Sequence, residues 1–308
     1  MRKSKVRLQM IAIFGVIVLL LSCVFLLPVY SVSAEENNLI VEYKTLDNGS
    51  QQKIVKNIQN YFSRSKKLKT NTLYYENNAL LEMGFSNEEI KNMTNEDRAV
   101  YLSATQVTIA EKTYDGTEVN SKEYTDNQIR VTTQVFKVPS LDRVNSNGQT
   151  EFGFIALMKA KWTKMPTYRL KDIMAITVNN SAVFGEDIEG IFTYEQESWN
   201  KYTGLTKYNN NHTLKTTNSR VTLYSWEHPA IMIDLPTNVH GFGAYTDYYN
   251  FNMEFKTIIK ATQSFNLYSA YGHKEGGSSA SISSRGGVSI SFNEVCNNFT
   301  VPFMLVEV

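Results

Sequence analysis

The sequence predicts an α+β protein: a small N-terminal helical unit followed by a mainly antiparallel β-sandwich. Three observations carry this. Between residues 50 and 103 apolar side chains recur at helical spacing, and cap residues stand where helices should start and stop. From about residue 104 onward, β-branched and aromatic residues alternate with polar ones in short runs. Those runs are separated by turn residues and not by helical stretches, which is the pattern of antiparallel sheets.

Residues 1–34 read as a secretory signal peptide. Arg2, Lys3, Lys5 and Arg7 form a cationic start, and Leu8 to Leu27 is apolar apart from Gln9 and Ser22. Pro28 ends the run. Val32, Ser33 and Ala34 supply small residues before the polar Glu35, so cleavage is expected between Ala34 and Glu35. Two alternatives stand beside this. Residues 8–27 approach the roughly 20 residues that span a bilayer and could remain as an uncleaved anchor. The Leu20-Leu21-Ser22-Cys23 stretch is similar to a bacterial lipobox, although the apolar Val24 to Leu27 follow it where polar chain is the rule.

Removing the four basic residues of that leader leaves 27 basic against 30 acidic side chains, a net charge of about −3. A near-neutral chain does not suit counterion-release binding, so nucleic acid is not expected as a partner. One cysteine, Cys296, remains after the leader and can form no internal disulfide; it reads as a small buried hydrophobe. A chain of this length can bury most of its apolar surface without staples.

Residues 35–103 are expected as the helical unit. Ile54, Val55, Ile58, Tyr61 and Phe62 recur at helical spacing from Ser50 to Lys69, with Lys53, Lys56, Arg64, Lys66, Lys67 and Lys69 between them. The result is a basic amphipathic helix, which could pack on a core or lie on an anionic surface. Ala79, Leu80, Leu81 and Met83 close a second helix at Gly84. Ser86 with Glu89 forms a capping box, Phe85 and Ile90 form a hydrophobic staple, and Thr94 with Asp97 repeats the cap before Ala99, Val100 and Leu102. The Met83-Gly84-Phe85 step resembles the helix turn of ubiquitin-associated domains, over little more than Ala79 to Met93. The longer run from Leu80 to Ile90 resembles a segment of exported Gram-positive bacterial proteins, which implies an address and no chemistry.

Residues 104–308 are expected as the β-rich domain. Val107 to Lys112, Arg130 to Val138, Phe152 to Trp162, Met174 to Val178 and Ile188 to Tyr194 read as strands, with turns at Asp115-Gly116 and Asn147-Gly148. Further strands are expected at 221–226, 230–234, 249–259, 264–271, 279–284, 288–292 and 300–306. Asn209 to His212 and Gly272 to Ser279 read as loops.

No phosphate loop, nucleophile elbow or paired-cysteine metal motif is present in the sequence. Four histidines remain: His212, His228, His240 and His273. Glu227, His228, Asp234 and His240 could hold zinc, but alternation sends the adjacent Glu227 and His228 to opposite faces of a strand. Glu186, Asp187, Glu189, Glu195 and Glu197 offer carboxylate pairs of the kind glycoside hydrolysis uses. Tyr245, Tyr248, Tyr249, Tyr268 and Tyr271 crowd the last third and could form an aromatic binding face or simply pack between strands. Ser279 to Phe292 alternates Ser with Ile, Val and Phe around Arg285-Gly286-Gly287. Membrane-inserting hairpins are written this way, but each arm is short of the 9–11 residues a span requires.

The expectation is therefore a secreted, extracellular or cell-surface protein of a Gram-positive bacterium that binds and does not catalyse. Its partner would be a protein, a glycan or an envelope component, with no cofactor and no membrane contact beyond residues 8–27. An extracellular metal-dependent or carboxylate hydrolase, and a membrane-active toxin or bacteriocin-like factor, are the competing readings.

Overall fold

The chain builds a ten-stranded antiparallel sheet, a five-stranded antiparallel sheet and a two-stranded hairpin, none closed into a barrel. The computed structural model describes residues 38–308 apart from 47–48, 68–71, 116–127, 167–168, 170, 180, 201–210, 218–220, 225–228, 242, 275–279, 284–288 and 293–295. Residues 38–308 form one compact unit. The expected leader 1–34, its cleavage at Ala34 and Glu35, the alternative anchor 8–27 and Cys23 lie outside the described residues. Among those described, no helix is long and apolar enough to cross a membrane.

Two strands open the unit, β1 (Ile40–Thr45) and β2 (Gln51–Lys56). The segment 35–103 is therefore not helical throughout. Ile54 and Val55 face opposite sides of β2, and both are buried, Ile54 at 2% and Val55 at 0% exposure. Spacing alone does not separate that arrangement from a helix turn. Helix α1 (Ile58–Lys67) follows, then α2 (Thr72–Glu82), α3 (Asn87–Asn92) and α4 (Asn95–Leu102).

The corners of this layer follow the expected chemistry. Gly84 takes φ +90° and the Phe85 N–H donates to Leu80 O at 3.0 Å, ending α2. Ser86 Oγ accepts from Glu89 N at 3.2 Å while Glu89 Oε2 accepts from Ser86 N at 2.6 Å, and Thr94 Oγ1 accepts from Asp97 N at 3.0 Å. Arg98 of α4 donates to Asn77 Oδ1 in α2 at 2.8 Å and to Ile90 O in α3 at 2.9 Å, tying three helices together.

The remaining strands are β3 (Gln106–Asp115), β4 (Gln128–Lys137), β5 (Arg143–Val144), β6 (Thr150–Lys164), β7 (Lys171–Val178), β8 (Ala182–Asn200) and β9 (Asn211–Thr217). After them come β10 (Val221–Tyr224), β11 (Ala230–Asp234), β12 (Val239–His240), β13 (Ala244–Ala261), β14 (Phe265–Lys274), β15 (Ala280–Ser283), β16 (Ser289–Phe292) and β17 (Cys296–Val306). The large sheet runs β1-β2-β3-β4-β6-β13-β8-β9, with β5 beside β6 and β12 beside β13. The smaller runs β10-β11-β7-β14-β17. Two expected loops are partly strand: β9 begins at Asn211, and β14 continues through Gly272 and His273 to Lys274. β9 is held by the strand just before it, β8, and the end of β14 by β17 and by β7, which lies far back in the sequence.

Alternation gives the large sheet two faces. One carries Val131, Val135, Phe154, Met158, Trp162, Phe192 and Phe255, which meet Met174, Ile176, Ile231, Leu267 and Met304 of the smaller sheet in one core. The Phe154 and Phe265 rings meet edge to face at 5.2 Å, and Thr133 Oγ1 lies 2.8 Å from Ser269 Oγ. The other face carries Val55, Val107, Ile109, Phe136, Ile155 and Leu157, which pack with Ile58, Leu80, Met83, Phe85 and Ile90 of the helical layer in a second core. Gln134 on β4 donates to the carbonyl of Met83, so the sheet itself caps the end of α2.

Candidate functional site

Among the described residues the helices pack on part of the large sheet's outer face, from β2 to β6. Beyond them, β13 and β8 present a polar surface. A β-bulge sets its composition: pairing with β8 slips between Tyr249 and Asn252, and Asn250 takes φ +54°, a conformation asparagine tolerates better than most side chains. Tyr248 packs against the inter-sheet core on one side of the slip, and Phe251 is fully buried in it on the other. With two positions between the inward residues Tyr248 and Phe251, where plain alternation has one, Tyr245, Asp247 and Tyr249 face outward.

That segment is clamped in place. Arg169 Nη1 donates to Tyr248 O at 2.8 Å and to Asn238 Oδ1 at 2.5 Å, and Asn238 Oδ1 accepts from Tyr248 N at 3.0 Å. Register then sets Tyr249 opposite Glu195 and Asp247 opposite Glu197. All four are half-buried, as is Tyr245. Burial and then the charges of Glu197, Glu195 and Asp247 raise the Tyr249 phenol above its ordinary pKa. His240 Nε2 lies 2.8 Å from Asp247 Oδ1, and its ring is 5.4 Å from that of Tyr245. The surface thus offers two phenols, three carboxylates and an imidazole on a sheet backbone. It can stack on flat apolar faces and accept hydrogen bonds from hydroxyl or cationic groups.

Where the bare surface meets the helices, a seam of charges crosses the strands. Glu254 on β13 stands opposite Lys159 on β6. Lys159 Nζ lies 2.6 Å from Glu89 Oε1 and 4.2 Å from the centre of the Phe85 ring. Glu89 thus caps α3 with one oxygen and holds the sheet with the other. Lys256, further along β13, lies 2.7 Å from Glu189 on β8 and 3.7 Å from Asp97 at the start of α4.

The two carboxyls beside Lys159 are driven in opposite directions. Burial raises the Glu89 carboxyl, but the Lys159 charge and hydrogen bonds from Lys159 and Ser86 outweigh it, so Glu89 sits below the usual range. For Glu254 burial dominates, and Lys159 does not fully offset it, leaving the carboxyl above the usual range. Burial and the charges of Asp97, Glu254, Glu189 and Glu89 raise Tyr101 so far that it stays protonated.

A third polar cluster is enclosed between the sheets. Asp172 on β7 accepts from the Tyr271 hydroxyl, and its Oδ2 lies 3.0 Å from Trp162 Nε1. Its Oδ1 lies 2.6 Å from His273 Nδ1. The four residues are 0–3% exposed, so this aspartate–histidine pair braces the core and no substrate reaches it.

The sequence-expected residues distribute among these places. Of the zinc candidates, Glu227 and His228 lie outside the described residues. Asp234 sits 3.3 Å from Lys171 in the smaller sheet, and His240 pairs with Asp247 in the larger. Among the described residues no group of three or more His, Cys, Asp or Glu side chains could hold a metal ion. The five tyrosines do not form one face. Tyr245 and Tyr249 do, whereas Tyr248 turns inward and Tyr268 meets Phe303 at 5.9 Å in the smaller sheet. Tyr271 is completely buried, because β14 is a central strand whose odd-numbered side chains enter the core. Of the acidic run, Glu189 joins the seam, Glu195 and Glu197 join the bare surface, and the side chains of Glu186 and Asp187 lie outside the described residues, as do those of Cys296 and His212. Sequence reasoning missed Glu89, Lys159 and Glu254 as a group. Lysine and glutamate between apolar residues at Met158-Lys159-Ala160 and Met253-Glu254-Phe255 mark the polar face of each strand, but pairing between strands so far apart leaves no local trace.

No protein-family model and no curated protein sequence matches the chain. Among solved structures it has a likeness to the enzymatically active domain of tailspike protein 4 of bacteriophage CBA120, at 11% identity and TM-score 0.15. That match takes in 53% of this chain and 19% of the tailspike chain, so the chain spans about a fifth of the tailspike's length. At that TM-score the likeness supports no inference about fold or activity.

Proposed function

We propose that the chain is an exported binding protein of a Gram-positive bacterium, released or retained at the cell surface after removal of residues 1–34. In this reading it is a β-sandwich faced by a helical layer. Its ligand site is the bare outer surface of β13 and β8, and its ligand is a glycan or another hydroxyl-rich envelope component. One observation carries the reading: Tyr245 and Tyr249 are held outward among Asp247, Glu195 and Glu197 by the bulge at Asn250. Stacking rings flanked by acceptors is the chemistry that polyols need.

The test is retention of residues 38–308 on insoluble Gram-positive cell-wall material, compared with a Tyr245→Ser/Tyr249→Ser variant. Retention of the wild type, with loss of at least about tenfold in the variant at an unchanged melting temperature, is expected. Equal retention of both, or of neither, removes the reading.

A hydrolytic alternative has one observation in its favour, the oppositely shifted carboxyls of Glu89 and Glu254 around Lys159. Release of soluble sugar from the same cell-wall material, abolished by Glu254→Gln, would establish it. The membrane-inserting alternative gains nothing from β15 and β16, each four residues long.

A further inference from the structure

The first strand of the large sheet is an edge. Among the described residues β1 pairs with β2 alone, in an unbroken ladder from Ile40 opposite Lys56 to Thr45 opposite Gln51. It holds no proline and no bulge, two of the devices that keep an edge from pairing again. Its apolar side chains stand in solvent, Ile40 40%, Val41 37% and Tyr43 70% exposed. Tyr43 ends a row that crosses the strands through Lys53, Ile109 and Gln134 on the helical side, where Lys53 Nζ lies 2.6 Å from Glu82 of α2. By alternation Glu42 and Lys44 belong to the opposite face.

The hairpin fixes which backbone groups of β1 point outward. The Leu46 N–H donates to Ser50 O at 2.8 Å, so Leu46 and Ser50 form a hydrogen-bonded pair one step beyond the strand. Bonded and non-bonded pairs alternate along an antiparallel ladder. Lys44, Glu42 and Ile40 therefore bond to β2, and the N–H and C=O groups of Val41, Tyr43 and Thr45 point away from it.

We propose that β1 is a dimerisation edge, pairing antiparallel with β1 of a second copy about a two-fold axis at Tyr43 and running the two large sheets into one. Register and charge select this occupant. Outward backbone groups must meet outward backbone groups, so the axis falls on a residue and not between two. An axis at Glu42 sets two carboxylates face to face, one at Lys44 sets two ammonium groups face to face, and axes nearer either end overlap too little strand. At Tyr43, Glu42 meets Lys44 of the second copy on both sides of the axis, Val41 meets Thr45, and the two Tyr43 rings meet each other. Glu42 lies 2.9 Å from Lys56 and Lys44 lies 3.1 Å from Glu307, yet Glu42 and Lys44 stay 48% and 41% exposed and keep surface for a partner across the axis. The edge shares no residue with the binding face of β13 and β8, so the two proposals stand or fall separately.

Sedimentation velocity of residues 35–308 between about 1 and about 500 µM is the test, a range set by the weak affinity of so small an interface. A reversible monomer–dimer equilibrium with no larger species is expected. Glu42→Lys and Lys44→Glu each set like charges face to face and should weaken self-association at least about tenfold. An equimolar mixture of those two variants should dimerise as the wild type does, because each chain then meets its opposite charges. Tyr43→Pro removes an N–H that points away from β2 and should abolish the dimer with little change in melting temperature. A monomer throughout the range, association beyond a dimer, or a mixture no more associated than its two components overturns the proposal. So does a dimer that persists in folded Tyr43→Pro; if that variant fails to fold, the mixture decides alone.

Discussion

The outer face of the large sheet is finished in two ways. Over β2, β3, β4 and β6 it is apolar and roofed by helices, through Val55, Val107, Ile109, Phe136, Ile155 and Leu157. Over the Tyr245–Tyr249 end of β13 and the facing part of β8 it carries Glu195, Glu197 and Tyr249, and among the described residues no helix packs there. Both halves belong to one antiparallel sheet and share the core behind it. The difference therefore lies in one set of alternating positions, and the seam at Glu89, Lys159 and Glu254 is the line between packing and presentation.

The largest effect should come from breaking the roofed half. Phe136 is fully buried between Phe85 and Tyr101, with ring distances of 5.8 and 4.7 Å. Phe136→Ala should cost about 3–5 kcal/mol in chemical denaturation. Ile191→Ala on the bare half, where the side chain is 37% exposed, should stay within about 0.5 kcal/mol. Similar losses at the two sites would mean that something packs on both halves.

A smaller effect is expected at the seam. Lys159→Met keeps the stem that covers Phe85 but leaves Glu89 without its ion pair, and should cost about 1–3 kcal/mol. No loss would show that the helices are held by apolar contacts alone.

The pH dependence sharpens the same line. A carboxyl raised in the folded state binds its proton more tightly there than in the unfolded chain. Glu254 thus favours folding on the acid side, and that contribution is lost as pH rises from the ordinary glutamate value through its raised one. Glu254→Gln should therefore gain stability over wild type at neutral pH and lose the advantage in acid. Glu89 is lowered, so its contribution is present above the ordinary value and lost as pH falls through the folded one. Glu89→Gln should lose stability at neutral pH and approach wild type in acid. Melting curves across that range check both signs, and parallel curves for the two variants would contradict them. A small effect is also expected of the Tyr245→Ser/Tyr249→Ser pair, which should change stability by no more than about 1 kcal/mol while altering what the surface retains.

Much of this fold is legible locally. The caps at Ser86 and Thr94, the helix stop at Gly84 and the strand Ala230–Asp234 follow from residues within a few positions of one another. The strand Gln51–Lys56 was not legible, because two adjacent buried residues suit a helix as well as a strand buried on both sides. Tyrosine density suggested a face but not which rings would turn outward, since a single inserted residue at Asn250 reverses the alternation. The charge seam was invisible for a different reason: Glu89, Lys159 and Glu254 are brought together by sheet order, which local pattern does not encode.

The left-handed residue at Asn250 has a consequence for how this strand can change over time. It resets the phase of β13, so that odd-numbered side chains face outward before it and inward after it. The outward positions Tyr245, Asp247 and Tyr249 can drift in chemistry without disturbing Phe251 or Met253. Straightening the strand with every residue kept would turn Tyr245, Asp247 and Tyr249 inward and expose Tyr248, so retention of the bulge should outlast retention of those side chains.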